Sequence, residues 1–284
     1  MKNSRDIIIN FCPTGMVPTR RHTPFVPISP DEIIEEVHKA FETGITIAHL
    51  HAREEDGTPS WRKNIYRTIF EGVRKYCPGL VICGSTSGRT FHEFEKRSAV
   101  IELQPDMCSL TLGSLNFMKQ ASVSDPGMIA SLAEKMQEYG VHPELECFDL
   151  GMINYGKYLA AKGVIHPPFY WNLLFGNIAG LQASLPQLGA AVNELGPDQH
   201  FVSLAGLGKD QLMINAIAIA AGYGVRVGIE DNIWYDEGRT IKASNIALLQ
   251  RIHALLKIHE KNYMKPESFG KLGFYNAQNI YSGL

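Results

Sequence analysis

No two cysteines of this sequence form a Cys-x-x-Cys pair. The five present, Cys12, Cys77, Cys83, Cys108 and Cys147, are scattered and odd in number, which argues against a disulfide framework and for a reducing compartment. Four of them lie in apolar runs and read as small core filler. No apolar stretch is long enough to cross a bilayer. The opening residues Met1-Lys-Asn-Ser-Arg-Asp6 lead straight into a strand-like run, without the apolar segment and cleavage site of a signal peptide. The cytoplasm is therefore the expected location. A long run of basic residues is missing too, and with a formal net charge of -2 nothing points to nucleic acid. Hydrophobic residues at 45% and charged residues at 20% are ordinary for a globular chain. The 284 residues suffice for one large domain or two small ones.

What is present is a regular alternation. Strand-like runs fall at Asp6–Phe11, Thr46–His51, Leu80–Ser85, Met107–Thr111, His142–Asp149, Phe169–Leu174, His200–Leu204 and Val225–Glu230. Helix-like runs lie between them. Ser29-Pro-Asp-Glu32 supplies an N-cap and a first-turn proline, followed by apolar residues at helical spacing from Ile33 to Phe41. Asp125-Pro-Gly and Lys209-Asp-Gln open two more helices, and the last long one is expected over about Thr240 to His259. Strands apolar on both faces, alternating with helices, predict a parallel sheet. Eight of them fit a closed (β/α)₈ TIM barrel. An open doubly wound sheet is the alternative, but it normally carries a phosphate loop after its first strand, and "FCPTGMVPT" is not one. The catalytic domain is expected over residues 1–261. Residues 262–284 form a polar, aperiodic tail expected to wrap the barrel or a neighbouring subunit.

In such a barrel the chemistry lies at the C-terminal ends of the strands. His49 and His51 sit there in "TIAHLHARE", two residues apart and so on one face. Ser85 ends the third strand, Ser109 and Thr111 share a face near the end of the fourth, and Glu146 lies late in the fifth. Glu230-Asp231 end the eighth, with Arg226 on the face of Glu230. By contrast His142, His166 and His200 fall at strand starts and read as solvated or capping residues, as do the histidines of loops and helices. Two imidazoles and a carboxylate, His49, His51 and Glu230, suit Zn²⁺ with a position left open. The same set also fits non-haem Fe(II). Arg226, Asp231 and Glu146 inside apolar strands are costly unless paired, which points to a polar cluster beside the cation. Glycines follow the fourth and seventh strands, and Leu204-Ala-Gly-Leu-Gly-Lys209 sits where many barrels bind phosphate.

Taken together, "TIAHLHARE", "GSLNF", "ELECFD", "AGLGKDQ" and "RVGIEDN" resemble the β-keto acid cleavage enzymes, in order and over essentially the whole chain. The resemblance implies a zinc-dependent TIM barrel, usually a homotetramer, that converts a β-keto acid and acetyl-CoA into acetoacetate and a new acyl-CoA. It implies His49, His51 and Glu230 as metal ligands and Asp231, held by Arg226, as the base. Ser85 and Thr111, or Ser109 in place of the latter, would hold substrate together with Thr14, and Glu146 would complete the polar cluster. A carboxylate beside a guanidinium is normally a weaker base, so the metal would have to acidify the substrate carbon. The family member acting on an amino-bearing keto acid has an acid shortly after the Thr-Gly of its first strand end. Here Thr14-Gly-Met-Val-Pro18 has none, so an ammonium-bearing substrate is not expected, and Arg20 and Arg21 become candidates to meet a second carboxylate. Three rival readings remain: a metal-dependent hydrolase, a CoA-dependent aldolase-type lyase, and a non-enzymatic metal-binding barrel.

Overall fold

The computed structural model describes residues 6–197, 201–276 and 278. Among them eight parallel strands close into a barrel: β1 (Ile9–Phe11), β2 (Ile47–Leu50), β3 (Val81–Gly84), β4 (Met107–Thr111), β5 (His142–Cys147), β6 (Tyr170–Phe175), β7 (Phe201–Gly206) and β8 (Gly224–Val227). Each pairs with its neighbours in sequence, and β8 closes on β1 with Asn10 opposite Arg226. The open-sheet alternative is thereby excluded. The crossovers carry α1 (Pro30–Thr43), α2 (Lys63–Tyr76), α3 (Phe94–Ser98), α4 (Pro126–Glu138), α5 (Leu150–Ala161), α6 (Leu185–Leu195), α7 (Gln211–Ala221) and α8 (Asn245–Ile258).

Local chemistry sets the helix starts. The Ser29 hydroxyl accepts from the Glu32 N–H while the Glu32 carboxylate accepts from the Ser29 N–H, a reciprocal capping box. α1 then buries Ile33, Ile34, Val37 and Ala40. Asp125 accepts from the Gly127 and Met128 N–H groups to open α4. The last long helix begins at Asn245 rather than Thr240. The Asp236 carboxylate takes the Thr240 and Ile241 N–H groups into a turn, and Ser244 becomes the cap by accepting from Ala247.

Two strand limits also differ from expectation. Before β1, Ile7 pairs with the tail: it donates to the Asn262 carbonyl, and Met264 donates to that of Ile7, both at 2.8 Å. β8 stops at Val227, and the chain turns at Gly228, where any Cβ would lie 2.0 Å from the Cys12 carbonyl oxygen. Glu230 and Asp231 thus sit in a turn after the strand. His200 lies outside the described residues.

One apolar core lies between strands and helices. Inside the barrel the N-terminal end is apolar, formed by Ile8, Ile47, Val81 and Met107. The tail closes it: α9 (Pro266–Phe269) and the turn after it insert Phe269 and Phe274, stacked with centroids 4.1 Å apart, against Tyr170. The described part of the tail therefore packs on its own barrel; residues 277 and 279–284 lie outside the described set. Above that plug the interior turns polar, with Asn10, Glu144, Asn172 and Ser203 fully buried.

Candidate metal and active site at the barrel rim

Glu144 is the deepest charged group of the interior. Its two oxygens accept from Asn10 Nδ2 at 2.6 Å, Asn172 Nδ2 at 2.9 Å and Cys83 Sγ at 3.1 Å, and face His49 Nδ1 at 2.7 Å. Burial pushes its acidity down, but His49 and Arg226 prevail and hold it ionised. An ionised carboxylate only accepts, so His49 Nδ1 carries a proton toward it, which leaves Nε2 as the ring atom that could face a cation. Burial lowers the basicity of that imidazole, and Glu144 more than restores it.

His49 Nε2 faces His51 Nε2 at 3.2 Å, and His51 Nε2 lies 3.2 Å from Glu230 Oε1. Burial lowers the His51 pKa, outweighing Glu230, and favours a neutral ring. Glu230 Oε2 is buried and has no hydrogen-bond partner among the described residues. Donor atoms of the three residues all lie within 4.8 Å of one another. Two facing nitrogens and a carboxylate oxygen without a partner among the described residues form a donor set that could hold a divalent cation. A second trio, His49, Cys83 and Glu144, is equally compact. It is already satisfied by its own hydrogen bonds, and burial raises the Cys83 thiol far above its usual range, so it stays a protonated donor to Glu144.

Beside the trio, Arg226 reaches Glu230 at 2.7 Å, Asp231 at 2.9 Å, Glu146 at 3.3 Å and Glu144 at 3.8 Å. Four carboxylates around one buried guanidinium leave an excess of negative charge that a cation would offset. Burial raises the pKa of Asp231 and of Glu146, Arg226 notwithstanding. Arg226 does act on Asp231 in the expected direction and lowers its pKa, but it does not set the net shift. Desolvation outweighs the guanidinium.

The turn carrying Glu230 is held to the first loop. Asn245 of α8 accepts from the Ile229 N–H and donates to the Pro13 carbonyl. Gly15, at φ +62, packs against Glu230, whose Cγ would lie 2.5 Å from any Cβ there. Thr14 is fully buried with an unpartnered hydroxyl. Thr111 donates to Glu146 at 2.8 Å. The Ser109 hydroxyl instead accepts from the Thr86 N–H at 3.1 Å, so Thr111 faces the cluster and Ser109 is spent on the backbone. Ser85, just past β3, lines a small cleft with Met16, His51, Thr86 and Phe91. Sequence reasoning missed Glu144, although it shares the inward face with Glu146 two residues later.

Arg20 does not turn to the site. It pairs with the capping Glu32 at 2.5 Å on the surface, and Arg21 is exposed. In the glycine-rich loop after β7, Gly208 donates to the Asp231 carbonyl at 2.7 Å and so supports the turn that carries Glu230 and Asp231.

A closed (β/α)₈ barrel with imidazoles, carboxylates and a guanidinium gathered at the C-terminal ends of its strands is the architecture of a TIM-barrel enzyme. The profile of the beta-keto acid cleavage enzyme family matches residues 6–272. The chain belongs to that family. It is similar to the 3-oxoadipate:acetyl-CoA acetyltransferase of Cupriavidus necator, 35% identical over 251 residues and 87% of either chain. It is 33% identical over 252 residues to the 3-keto-5-aminohexanoate cleavage enzyme of Acetoanaerobium sticklandii, covering 88% of this chain and 92% of that one. Among solved structures, apo ObcA shares the fold, with a TM-score of 0.77 at 18% identity. That likeness covers 89% of this chain and 66%, just under two thirds, of ObcA.

Proposed function

We propose that this protein is a zinc-dependent acyltransferase that exchanges a β-keto acid and acetyl-CoA for acetoacetate and a new acyl-CoA. The observation that carries the reading is the convergence of His49, His51 and Glu230 directly beside the Arg226–Asp231–Glu146 cluster. His49, His51 and Glu230 would hold the ion. When bound, it supplies electrophilic stabilisation of charge developing on the keto oxygen. Asp231, oriented by Arg226 and made more basic by burial, removes the C2 proton. The resulting carbanion attacks the acetyl thioester and expels the CoA thiolate. The thiolate adds to the C3 carbonyl, the C2–C3 bond breaks, and Asp231 returns its proton to the departing acetoacetate. Atoms balance: the acyl group formerly on C2 leaves on sulfur, and the acetyl group takes its place. Ser85, Thr111 and Thr14, whose hydroxyl has no partner among the described residues, would orient the keto acid, and Thr111 donates to Glu146.

No acid occupies positions 14–18, so a keto acid without an ammonium group is favoured. Glu146 and Arg226 favour a reaction over mere metal storage. A hydrolase would need further rim histidines, but of the described later ones His142 and His166 lie at or before strand starts, and His253 and His259 lie on α8 and at its end. We further propose a cytoplasmic homotetramer. The test is a panel of β-keto acids incubated with purified protein and acetyl-CoA, with acetoacetate as readout. Acetoacetate formation that requires the thioester supports the reading. Cleavage that proceeds without CoA replaces it with the hydrolase.

A further inference from the structure

Six described arginines are not exposed: Arg53, Arg74, Arg89, Arg97, Arg226 and Arg251. Five of them spend their guanidinium donors on the protein. Arg53 donates to the carbonyls of Gly15, Pro18 and Gly57, and Arg97 to those of Thr86 and Val123 and to the Ser124 hydroxyl. Arg74 binds the Leu80 carbonyl, Arg251 that of Tyr235, and Arg226 the site carboxylates. Arg89 differs. Among the described residues its guanidinium makes neither an ion pair nor a donated hydrogen bond.

Arg89 is nonetheless held in place. It follows β3 in the loop that begins at Ser85, and its backbone N–H donates to Ser87 Oγ. The Gln120 side chain donates to its carbonyl at 3.0 Å. Its guanidinium carbon stands 3.4 Å from the centroid of the Phe117 ring, and Phe117 meets Phe148 edge-on at 5.8 Å. Phe148 lies two residues beyond Glu146, just past the C-terminal end of β5, so this aromatic pair stands at the same end of the barrel as the rim site. Burial lowers the basicity of Arg89, while the charges of Glu230, Asp231 and Glu146 raise it. Stacking fixes the guanidinium by its face and leaves the edge, with its fork of N–H donors, free. A planar fork without a partner matches a carboxylate or phosphate bidentately.

We propose that Arg89 is an anion-binding and specificity-determining residue of the rim site, receiving an oxyanion group of a substrate. The inference rests on the proposed reaction, which supplies two such groups, the carboxylate of the keto acid and the phosphates of CoA. The keto-acid carboxylate is the favoured source, because it must enter a site already ringed by acids. Arg226 is committed to those acids, and Ser85 and Thr111 offer only neutral hydroxyls.

The experiment titrates wild type, Arg89→Gln and Arg89→Lys calorimetrically with acetoacetate and, separately, with free CoA. Turnover of each is recorded alongside. Arg89→Gln should weaken acetoacetate roughly 10–100-fold, the range of a charged hydrogen-bonded pair, and raise the KM for keto acid more than it lowers kcat. Arg89→Lys should recover part of the loss, since it keeps the charge but not the fork. A loss confined to CoA keeps the anion site and assigns it to phosphate. Unchanged affinity for both ligands overturns the inference while leaving the reaction standing. A wild-type protein that neither binds acetoacetate nor turns over any keto acid overturns the reaction, and this inference with it. The guanidinium donates no hydrogen bond to the described protein, so the variants should melt with wild type. If Arg89→Gln does not fold, Phe117→Leu, which removes the stacking surface, must still weaken the same ligand.

Discussion

Replacing Glu144 by Gln tests how the metal site is built. The carboxylate lies at the centre of four contacts: His49 and Cys83 on one oxygen, Asn10 and Asn172 on the other. An amide can accept on one side only. It must turn its NH₂ either to the two asparagine donors or to the His49 Nδ1 proton. Either choice strands at least one buried donor, at a cost of about 1–3 kcal/mol. If His49 is the group stranded, its ring loses the partner that fixes the tautomer and aims Nε2 at the ion. Loss of such an outer carboxylate typically weakens metal binding about 10–100-fold, or about 1.4–2.8 kcal/mol. Two asparagine donors against one imidazole proton favour the orientation that strands His49, so the variant should show both effects together. Competition against a chromogenic chelator gives the zinc affinity, and the urea midpoint gives the stability. A Glu144→Gln protein with wild-type zinc affinity and midpoint would mean that the 2.7 Å contact to His49 orients nothing.

Gly15→Ala should strip zinc without unfolding the barrel, because its Cβ would meet Glu230 Cγ at 2.5 Å and a left-handed φ of +62 adds about 1–2 kcal/mol of strain; chelator competition and circular dichroism separate the two effects. Asp231→Asn should lower kcat about 10²–10⁴-fold, the usual contribution of a positioned base, with zinc content unchanged. A near-normal rate would move the base elsewhere. Phe274→Ala should cost about 3–5 kcal/mol in urea unfolding, since the ring is fully buried in the plug. Its kcat should be retained, because the plug closes the end opposite the reacting groups.

The barrel was legible because its signals are local and repeated. Continuous apolar strands announce a sheet covered on both faces, and Ser29 and Asp125 mark helix starts by hydrogen bonds within one turn. The convergence of the proposed metal trio was legible for a related reason: His49 and His51 share a face and stand at a strand end. The limits of the reading were physical. "RVGIED" reads as one strand, yet Gly228 breaks it, and the contact with Cys12 that demands glycine comes from 216 residues away in sequence. Glu144 sits in the middle of its strand, below the positions where rim chemistry is sought, so its role shows only when Asn10 and Asn172 converge on it. Phe269 and Phe274 follow no helical or strand period, and nothing marks them as a plug until the barrel mouth they fill exists. Arg20, Arg21 and Arg89 look alike in sequence. Partners alone distinguish them: Glu32 claims Arg20, while Phe117 holds Arg89, whose guanidinium donates to none of the described residues.

Metal content and turnover measured on the same samples test the central claim most directly: wild-type protein as purified, after chelation, after zinc is returned, and with His51 replaced by alanine. The account predicts near-stoichiometric zinc in the wild type, acetoacetate production lost on chelation and restored by zinc, and a His51→Ala protein that folds but neither retains the ion nor turns over. Full activity in chelated protein, or tight zinc binding by His51→Ala, would contradict it.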